Sequence, residues 1–388
     1  MKRFFPVGLI VWSAAGAAAL ANGFYIPVQA PEATGRGNAW LATADTASAV
    51  YYNAAGLTQQ TSANVVVGSY AVLLGLEAET ASGNFENDKE WSFLPQIYAA
   101  LPVNDRLVAG FGINTPFGLS TSWGDETPFR QIATETELKY VTSWLVLGFK
   151  VTDSFSVGGG IGVHYADATI QRGLFVPGDY FKFEGDDEAL SWTVSARWQP
   201  APEHAFGLVY RSKTEFTLDG STENTYLPGS QKASLDFITP ATAGAGYAYR
   251  PCREWLLEAN IEWVNWDELN DLTLSSGGTD TDIAFDWNSN FIYSAGFTRF
   301  FDGGWNASLG YNYIENSQPN ATFNPGISDA NRHWLNIGCG QDLENFKWSL
   351  AYQFAFSDRD VSGSPGGLAD GTYKSRFHGL MANCRWSF

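Results

Sequence analysis

The closing stretch His378–Phe388, "HGLMANCRWSF", decides the fold. Counted back by twos, Phe388, Trp386, Cys384, Ala382 and Leu380 are apolar. Between them stand Ser387, Arg385, Asn383, Met381 and Gly379, mostly small or polar. A period of two puts one set on each face of a β-strand. Chain ends ordinarily fray. A chain that stops inside such a pattern implies that its final strand is held by a partner.

The same alternation recurs upstream. In "SFSVGGGIGVHYA" (154–166), Phe155, Val157, Ile161, Val163 and Tyr165 face one way. Ser156, Gly158, Gly160, Gly162 and His164 face the other. "FKWSLAYQFAF" (346–356) sets Phe346, Trp348, Leu350, Tyr352, Phe354 and Phe356 against Lys347, Ser349, Ala351, Gln353 and Ala355. "WLLEANIEW" (255–263) sets Trp255, Leu257, Ala259, Ile261 and Trp263 against Glu258, Asn260 and Glu262. Carboxylates and amides on the second face imply contact with water. Aromatics near the ends of the first face suit interfacial girdles.

The connections alternate in length. Short turns rich in Pro, Gly, Asn and Asp fall at 102–106, 151–154, 199–204, 249–254, 300–305 and 342–346. Longer polar segments are expected at 79–89, 116–135, 171–188, 218–232, 270–285, 315–331 and 358–372. Six short and seven long connections imply about fourteen antiparallel strands. Short turns at one end and long loops at the other are the plan of an outer-membrane β-barrel. A bilayer core tolerates no open sheet edge, since each unpaired backbone group there costs several kcal/mol. The last strand must therefore pair with the first, which gives Phe388 its partner. The expected fold is all-β: a 14-stranded antiparallel transmembrane barrel over residues 62–388. An exported soluble sandwich or propeller would need less polar second faces.

The start of the chain agrees. Lys2 and Arg3 precede the uncharged run Val7–Ala21, which ends in Ala19-Leu20-Ala21. This reads as a signal peptide, residues 1–21, cut before Asn22. The formal charge is −18, and losing Lys2 and Arg3 makes it more negative. Such a surface repels nucleic acid. Trp, Tyr and Phe number 15, 17 and 27, a heavy aromatic load for girdles. Cys252, Cys339 and Cys384 form no paired framework. No C-x-x-C pair or His-rich cluster points to a metal, and no cofactor is expected.

Residues 22–61 break the pattern. "APEATGRGNAWLATADTASAVYYNAAGLTQQ" (30–60) is dense in Ala, Gly and Thr, without sustained alternation. It is too small for an independent core. Its low charge and its Tyr51-Tyr52 speak against a disordered tail. A plug folded inside the barrel is the economical reading.

Within it, "ATADTASAVYYNAAGLTQQ" (42–60) resembles the N-terminal hatch of the FadL-type family, outer-membrane channels of Gram-negative bacteria for long-chain fatty acids and aromatic hydrocarbons. Family hatches carry Asn-Pro-Ala at this place; this chain has Asn53-Ala54-Ala55-Gly56. "GFGINTPFGLSTSW" (110–123), "LLEANIEWVNWDEL" (256–269) and "GISDANRHWLNIG" (326–338) resemble family segments in the same order. The aromatic C-terminus ending at Phe388 also resembles the signal read by bacterial barrel-assembly machinery. The resemblance implies capture of a hydrophobic ligand among outer loops, a pocket beside the hatch, and sideways exit through a kinked third strand. Outer-membrane lipid and lipopolysaccharide are the implied surroundings.

On that reading Phe117, Leu119, Trp123, Leu174, Phe175 and Phe181 are candidate ligand contacts from the loops, with Val176 and Tyr180 nearby. The family places its N-terminus at the inner pocket, so Phe24 is a further candidate. Each has packing as its alternative role. Gly110, Gly112, Asn114 and Pro116 weaken strand pairing and are the candidate kink. The glycines could equally make room for the hatch, with Pro116 opening the loop. Arg36, Lys139, Arg172 and Arg332 are cations available to a carboxylate; their scarcity leaves neutral hydrocarbons as an alternative. His164, His204, His333 and His378 have no G-x-S-x-G partner, so an enzyme is not expected. A general porin would lack the pre-barrel segment.

Overall fold

Asn64–Thr80, the first barrel strand, lies against Gly371–Ser387, the last. Their antiparallel ladder runs without a break from Asn64↔Ser387 to Thr80↔Gly371. The Phe388 amide then donates to the Ala63 carbonyl at 2.9 Å. The ring is closed, as the C-terminal pattern requires. This computed structural model describes residues 23–89 and 91–388; the expected leader lies outside them. Fourteen antiparallel strands make the wall. Among the described residues no helix is long and apolar enough to cross a membrane.

The wall carries two opposite alternations. In the fourth strand, Glu135–Thr152, the half towards the inner end turns Leu145, Leu147 and Phe149 outward and buries Trp144 and Val146. In its outer half Leu138 and Tyr140 are buried, while Lys139 pairs on the outside with Glu137 at 3.0 Å. The seventh strand repeats this. His204–Arg211 exposes Phe206 and Leu208; Thr214–Asn224 buries Phe216 and Leu218 and exposes Glu215, Thr217 and Asp219. Apolar-outward pairing suits lipid; polar-outward pairing suits water. The strands therefore rise above the bilayer and enclose an apolar chamber there.

This corrects four connection lengths. The expected loops at 79–89, 171–188, 218–232 and 270–285 are mostly strand, the first as a hairpin paired through Thr80↔Gly83. The fifth strand runs to Arg172 and the sixth starts at Phe181. The seventh and eighth meet across Thr225-Tyr226. Asp271–Ser276 and Thr279–Ala284 form a hairpin on Gly277-Gly278, whose φ values are 61° and 80°. Polar side chains at these positions face water from strands, where the sequence suggested loops. The segment 315–331 does fold as a loop, tucked into the barrel mouth. Arg359 holds it, donating to Asn316 Oδ1, Asp329 O, Gln318 O and Asn320 Oδ1 at 2.6–2.9 Å.

Residues 23–26 reach up to the wall at Pro116, and residues 27–61 fill the lower bore with short helical turns, Pro31–Gly35, Ala49–Tyr52 and Ala54–Gln59. Nearly all of it is buried. Inward-facing wall glycines make the space. A Cβ on Gly158 would lie 2.4 Å from Ala55 N, one on Gly207 2.0 Å from Leu41 O, and one on Gly310 1.9 Å from Gly37 N.

Candidate functional site: the aromatic chamber and the gap in the wall

Three inward side chains of the ninth strand, Trp255–Val264, grip the plug. Glu258 accepts from the Ala42 and Thr43 amides at 2.8 and 3.3 Å and from the Thr43 hydroxyl, and it pairs with Arg36 at 3.4 Å. Asn260 donates to Asn38 O at 3.1 Å. Glu262 accepts from Tyr25 Oη at 2.8 Å and faces Arg211 at 3.4 Å. Arg211 in turn donates to Tyr51 O at 2.5 Å and lies 4.4 Å above the Tyr51 ring. The carboxylates read from sequence as facing water thus face the plug.

Asn53 begins the hatch motif. Its Oδ1 accepts from the Ala55 amide at 3.1 Å, and its Nδ2 donates to Leu41 O at 2.7 Å and Ala196 O at 3.1 Å. It caps the turn Ala54–Gln59 and ties it to the sixth strand. Ala54 and Ala55 lie against Gly158, and a Cβ on Gly56 would lie 2.3 Å from Ala44 O. Backbone closeness, more than rigidity from a proline, defines this segment.

A row of neutral amides crosses the inner wall above the plug. Tyr70 Oη donates to Gln353, Gln353 to Asn336, Asn336 to Asn312, and Asn312 to Ser294, at 2.6–2.8 Å. All five are buried. Aromatic side chains dominate beyond it. Phe24 is 1% exposed, with Trp266, Phe237, Phe117 and Trp287 centred 4.8, 5.4, 6.0 and 6.1 Å away. Phe117 also meets Tyr25 at 5.2 Å and Tyr140 at 5.0 Å. Leu119 and Trp123 belong to the same core, and Trp123 Nε1 donates to Pro325 O at 2.9 Å. The structure therefore brings Phe24 and Phe117 into contact and places Leu119 and Trp123 in the same continuous apolar core, with Trp123 against Phe129 and Tyr373.

It does not bring in the whole candidate set. Phe181 packs on the cluster from its edge. Leu174 is half-buried and Phe175 is 77% exposed, beside Tyr226 at 5.5 Å, on a separate loop. Asp179 organises that loop, accepting from the Leu174, Phe175 and Val176 amides and from Arg130 at 2.6–2.9 Å. Burial opposes its charge, but these donors prevail and hold its carboxyl below the usual range. Trp266 and Trp287, which sequence reasoning missed, sit on the inward bends of the ninth and tenth strands. Their signal was a tryptophan in each polar interruption of the alternation.

The third strand, Leu107–Asn114, pairs with both neighbours through Asn114↔Thr142 and Ile113↔Ile97. Gly110 and Gly112 lie inside that intact ladder, where added Cβ atoms would fall 2.7 and 2.9 Å from Val50. They make room for the hatch. The break comes later, at 115–118: pairing resumes only with the fourth strand, at Leu119↔Leu138, one residue out of register. A kink around Gly110–Asn114 is thus corrected to one at Thr115–Gly118, which includes Pro116. Phe24–Ile26 fills the vacated side, with Ile26 N donating to Pro116 O at 2.7 Å and Gly118 N to Phe24 O at 2.9 Å. The second strand, Trp91–Pro102, consequently pairs on this side only from Ile97 onward. Among the described residues, Trp91 to Gln96 have no ladder partner on the third strand. Pro95 sits there, as a residue that cannot donate must sit at an edge.

Of the four candidate cations, Arg36 is spent on Glu258, Lys139 faces outward, and Arg172 is exposed over the Phe181 ring at 5.5 Å. Arg332 is buried. His164 Nε2 lies 2.6 Å from Ser191 Oγ, but its Nδ1 faces the hydroxyls of Tyr140 and Thr142, both at 2.9 Å. Among the described residues no carboxylate bonds to His164 to orient a base, as a triad requires. Among the described residues no cluster could hold a metal ion.

A lipid-girdled barrel, plugged below by its own N-terminal segment and aromatic above, defines an outer-membrane transport protein. The chain belongs to the family described as "Outer membrane protein transport protein (OMPP1/FadL/TodX)", which it matches over residues 12–359. It is 21% identical over 301 residues to a long-chain fatty acid transport protein of Escherichia coli, covering 66% of this chain and 68% of that one. It is 22% identical over 334 residues to outer membrane protein P1 of Haemophilus influenzae, covering 74% and 72%. Its fold matches the crystal structure of a Pseudomonas aeruginosa FadL homologue with a TM-score of 0.86 at 19% identity, over 94% of this chain and 100% of that one. The Pseudomonas putida toluene transporter TodX gives 0.77 at 12%, over 95% and 98%.

Proposed function

We propose that the protein takes up small hydrophobic molecules, fatty acids or aromatic hydrocarbons, across the outer membrane, and releases them sideways through the wall. The ligand enters among the outer loops, resides in the aromatic chamber, and leaves between the second and third strands. The observation that carries this reading is the register break at 115–118, which leaves Trp91–Gln96 without pairing on that side. An apolar molecule gains nothing from a wet bore through the hatch. Each buried CH₂ favours lipid by about 0.8 kcal/mol. Processing before Asn22 and delivery through the barrel-assembly machinery complete the proposal.

The test is a cross-link across the gap. Phe93→Cys and Ser120→Cys are introduced in a background with Cys252, Cys339 and Cys384 replaced by Ser. A short bismaleimide then joins the two strands. Uptake of a labelled hydrocarbon is expected to fall at least tenfold on linking and to be normal before it. Normal uptake after complete linking would reject the lateral route. A staple at Gly112 would be uninformative, because that ladder is already paired.

A further inference from the structure

On the side of the barrel away from the gap, the lipid-facing wall is hollowed. Across the eighth to eleventh strands one paired row reads Tyr247, Ala259, Ala295, Tyr311. All four point outward and are exposed. The two alanines stop well short of the height that the flanking tyrosines reach. Beside them the inward positions are Gly296 and Gly310, where the wall has no side chain at all. Added Cβ atoms there would fall 2.4 Å from Arg36 O and 1.9 Å from Gly37 N of the plug. Backbone alone therefore separates plug from membrane. The hollow is a groove of about 610 Å³, walled further by Tyr249, Leu257, Phe297, Leu309 and Leu335. Pockets for small lipophilic ligands run from about 300 to 1,000 Å³.

The inner end of this groove is cationic. Phe297 packs on Trp255 at 5.6 Å. Two residues further along the same face, about 7 Å nearer the inner rim, stands Arg299, exposed. Its guanidinium lies 5.2 Å over the Trp255 ring and 5.1 Å over Phe301. Arg253 stands exposed on the adjoining turn. Among the described residues neither arginine forms a salt bridge. The contrast with the outer half is plain: Lys139, Lys182, Lys213 and Arg376 each hold a carboxylate there. Of the six inner turns only 249–254 carries more cations than carboxylates, Arg250 and Arg253 against Glu254. Glu254 is close enough to Arg253 and Arg299 to offset one of their two charges. One positive charge is left, at the height where aromatic side chains mark the membrane interface.

We propose that this face holds one glycerophospholipid of the periplasmic leaflet, with an acyl chain laid over Ala259 and Ala295 and its phosphodiester on Arg299 and Arg253. The groove and the occupant share one polarity: apolar along the length, charged at one end. A guanidinium fork suits phosphate oxygens, and stacking on Trp255 leaves its N–H groups free to donate. A phosphodiester carries the single negative charge that the turn lacks. A second copy of the chain fits worse. A two-fold axis along the membrane normal would set hollow against hollow and Arg299 against Arg299 at one height. The lipid is a component of the wall and not a transported molecule, so the proposal stands apart from the transport reading. It supplies, from outside, the packing that the wall gave up to admit Arg36 and Gly37 from inside.

The experiment is native mass spectrometry of the full chain in a neutral detergent. It is titrated with palmitoyl-oleoyl phosphatidylglycerol and, separately, with the diacylglycerol of the same chains. One phosphatidylglycerol is expected to bind about tenfold more tightly than further copies and than the diacylglycerol. The double variant Arg253→Gln, Arg299→Gln should erase the preference for phosphatidylglycerol over diacylglycerol. Ala295→Phe fills the groove and should weaken the first binding event about tenfold. Leu145→Phe, outward on the fourth strand, should bind as the parent protein does. Equal affinity of the parent protein for the two probes would overturn the proposal. So would binding that neither the arginine nor the groove variant changes, or that Leu145→Phe weakens equally. A dimer in the parent spectrum that Ala295→Phe dissolves would give the face to a second copy instead. Heat-modifiable migration on gels checks that each variant is a folded barrel. Should Ala295→Phe not be, Ala259→Leu takes its place with the same expectation, and undiminished binding is again fatal.

Discussion

The lower and upper halves of the bore are filled in opposite ways. Below, the plug is held by directional bonds: Glu258 alone takes two amides, a hydroxyl and a guanidinium. Wall glycines let the two backbones touch. Above, Phe24, Phe117, Phe237, Trp266 and Trp287 meet ring to ring. Directional bonds to buried charges are lost abruptly when geometry changes. Ring contacts rest mainly on buried apolar area, with a modest preference in geometry. The contrast separates a half held by directional bonds from a half packed ring to ring.

The contrast is most easily broken at Glu258. Glu258→Ala leaves Arg36 buried without its carboxylate, a loss of about 3–5 kcal/mol. The plug should loosen, giving large steady currents in planar bilayers where the parent protein gives few. Gly310→Val tests the close backbone contact, since its Cβ would fall 1.9 Å from Gly37 N. A cost of about 1–3 kcal/mol is expected, read as a lower temperature of barrel unfolding. The upper half should respond more mildly. Trp123→Phe keeps the ring but drops the bond to Pro325 O, costing about 1 kcal/mol and speeding protease cleavage within 315–331. The smallest effect is pH-dependent. Asp179 has a depressed carboxyl, so its stabilisation is fully present above the ordinary carboxylate range and is lost as pH falls through and below it. Protease nicking at 173–180 should rise modestly from about pH 5 downward, and Asp179→Asn should flatten that response.

The barrel was legible because alternation and turn chemistry are local. The closure was legible because a strand at the chain end demands a partner. The upper wall was not, because polar residues on strands above the bilayer look like loops. Thr217 and Asp219 are turn formers by composition but lie outward from Leu218 and Phe216. The position of the kink was misjudged for a related reason. Gly110 and Gly112 signal space as well as irregularity, and here the space serves Val50. Pro95 was the better clue, since a missing donor marks an unpaired side. Of the site, Phe24, Phe117, Leu119 and Trp123 were readable as apolar residues outside the strand pattern. Trp266, Trp287 and Phe237 meet them only through pairings distant in sequence.

The order of the chain also bears on how the stopper arrives. The hatch precedes the wall in the sequence, and the seam joins Asn64–Thr80 to the far later Gly371–Ser387. Wall and hatch backbones touch at Gly158, Gly207 and Gly310, leaving no clearance for sliding in afterwards. Biogenesis can therefore wrap the cylinder around its cork, like a barrel coopered over its contents.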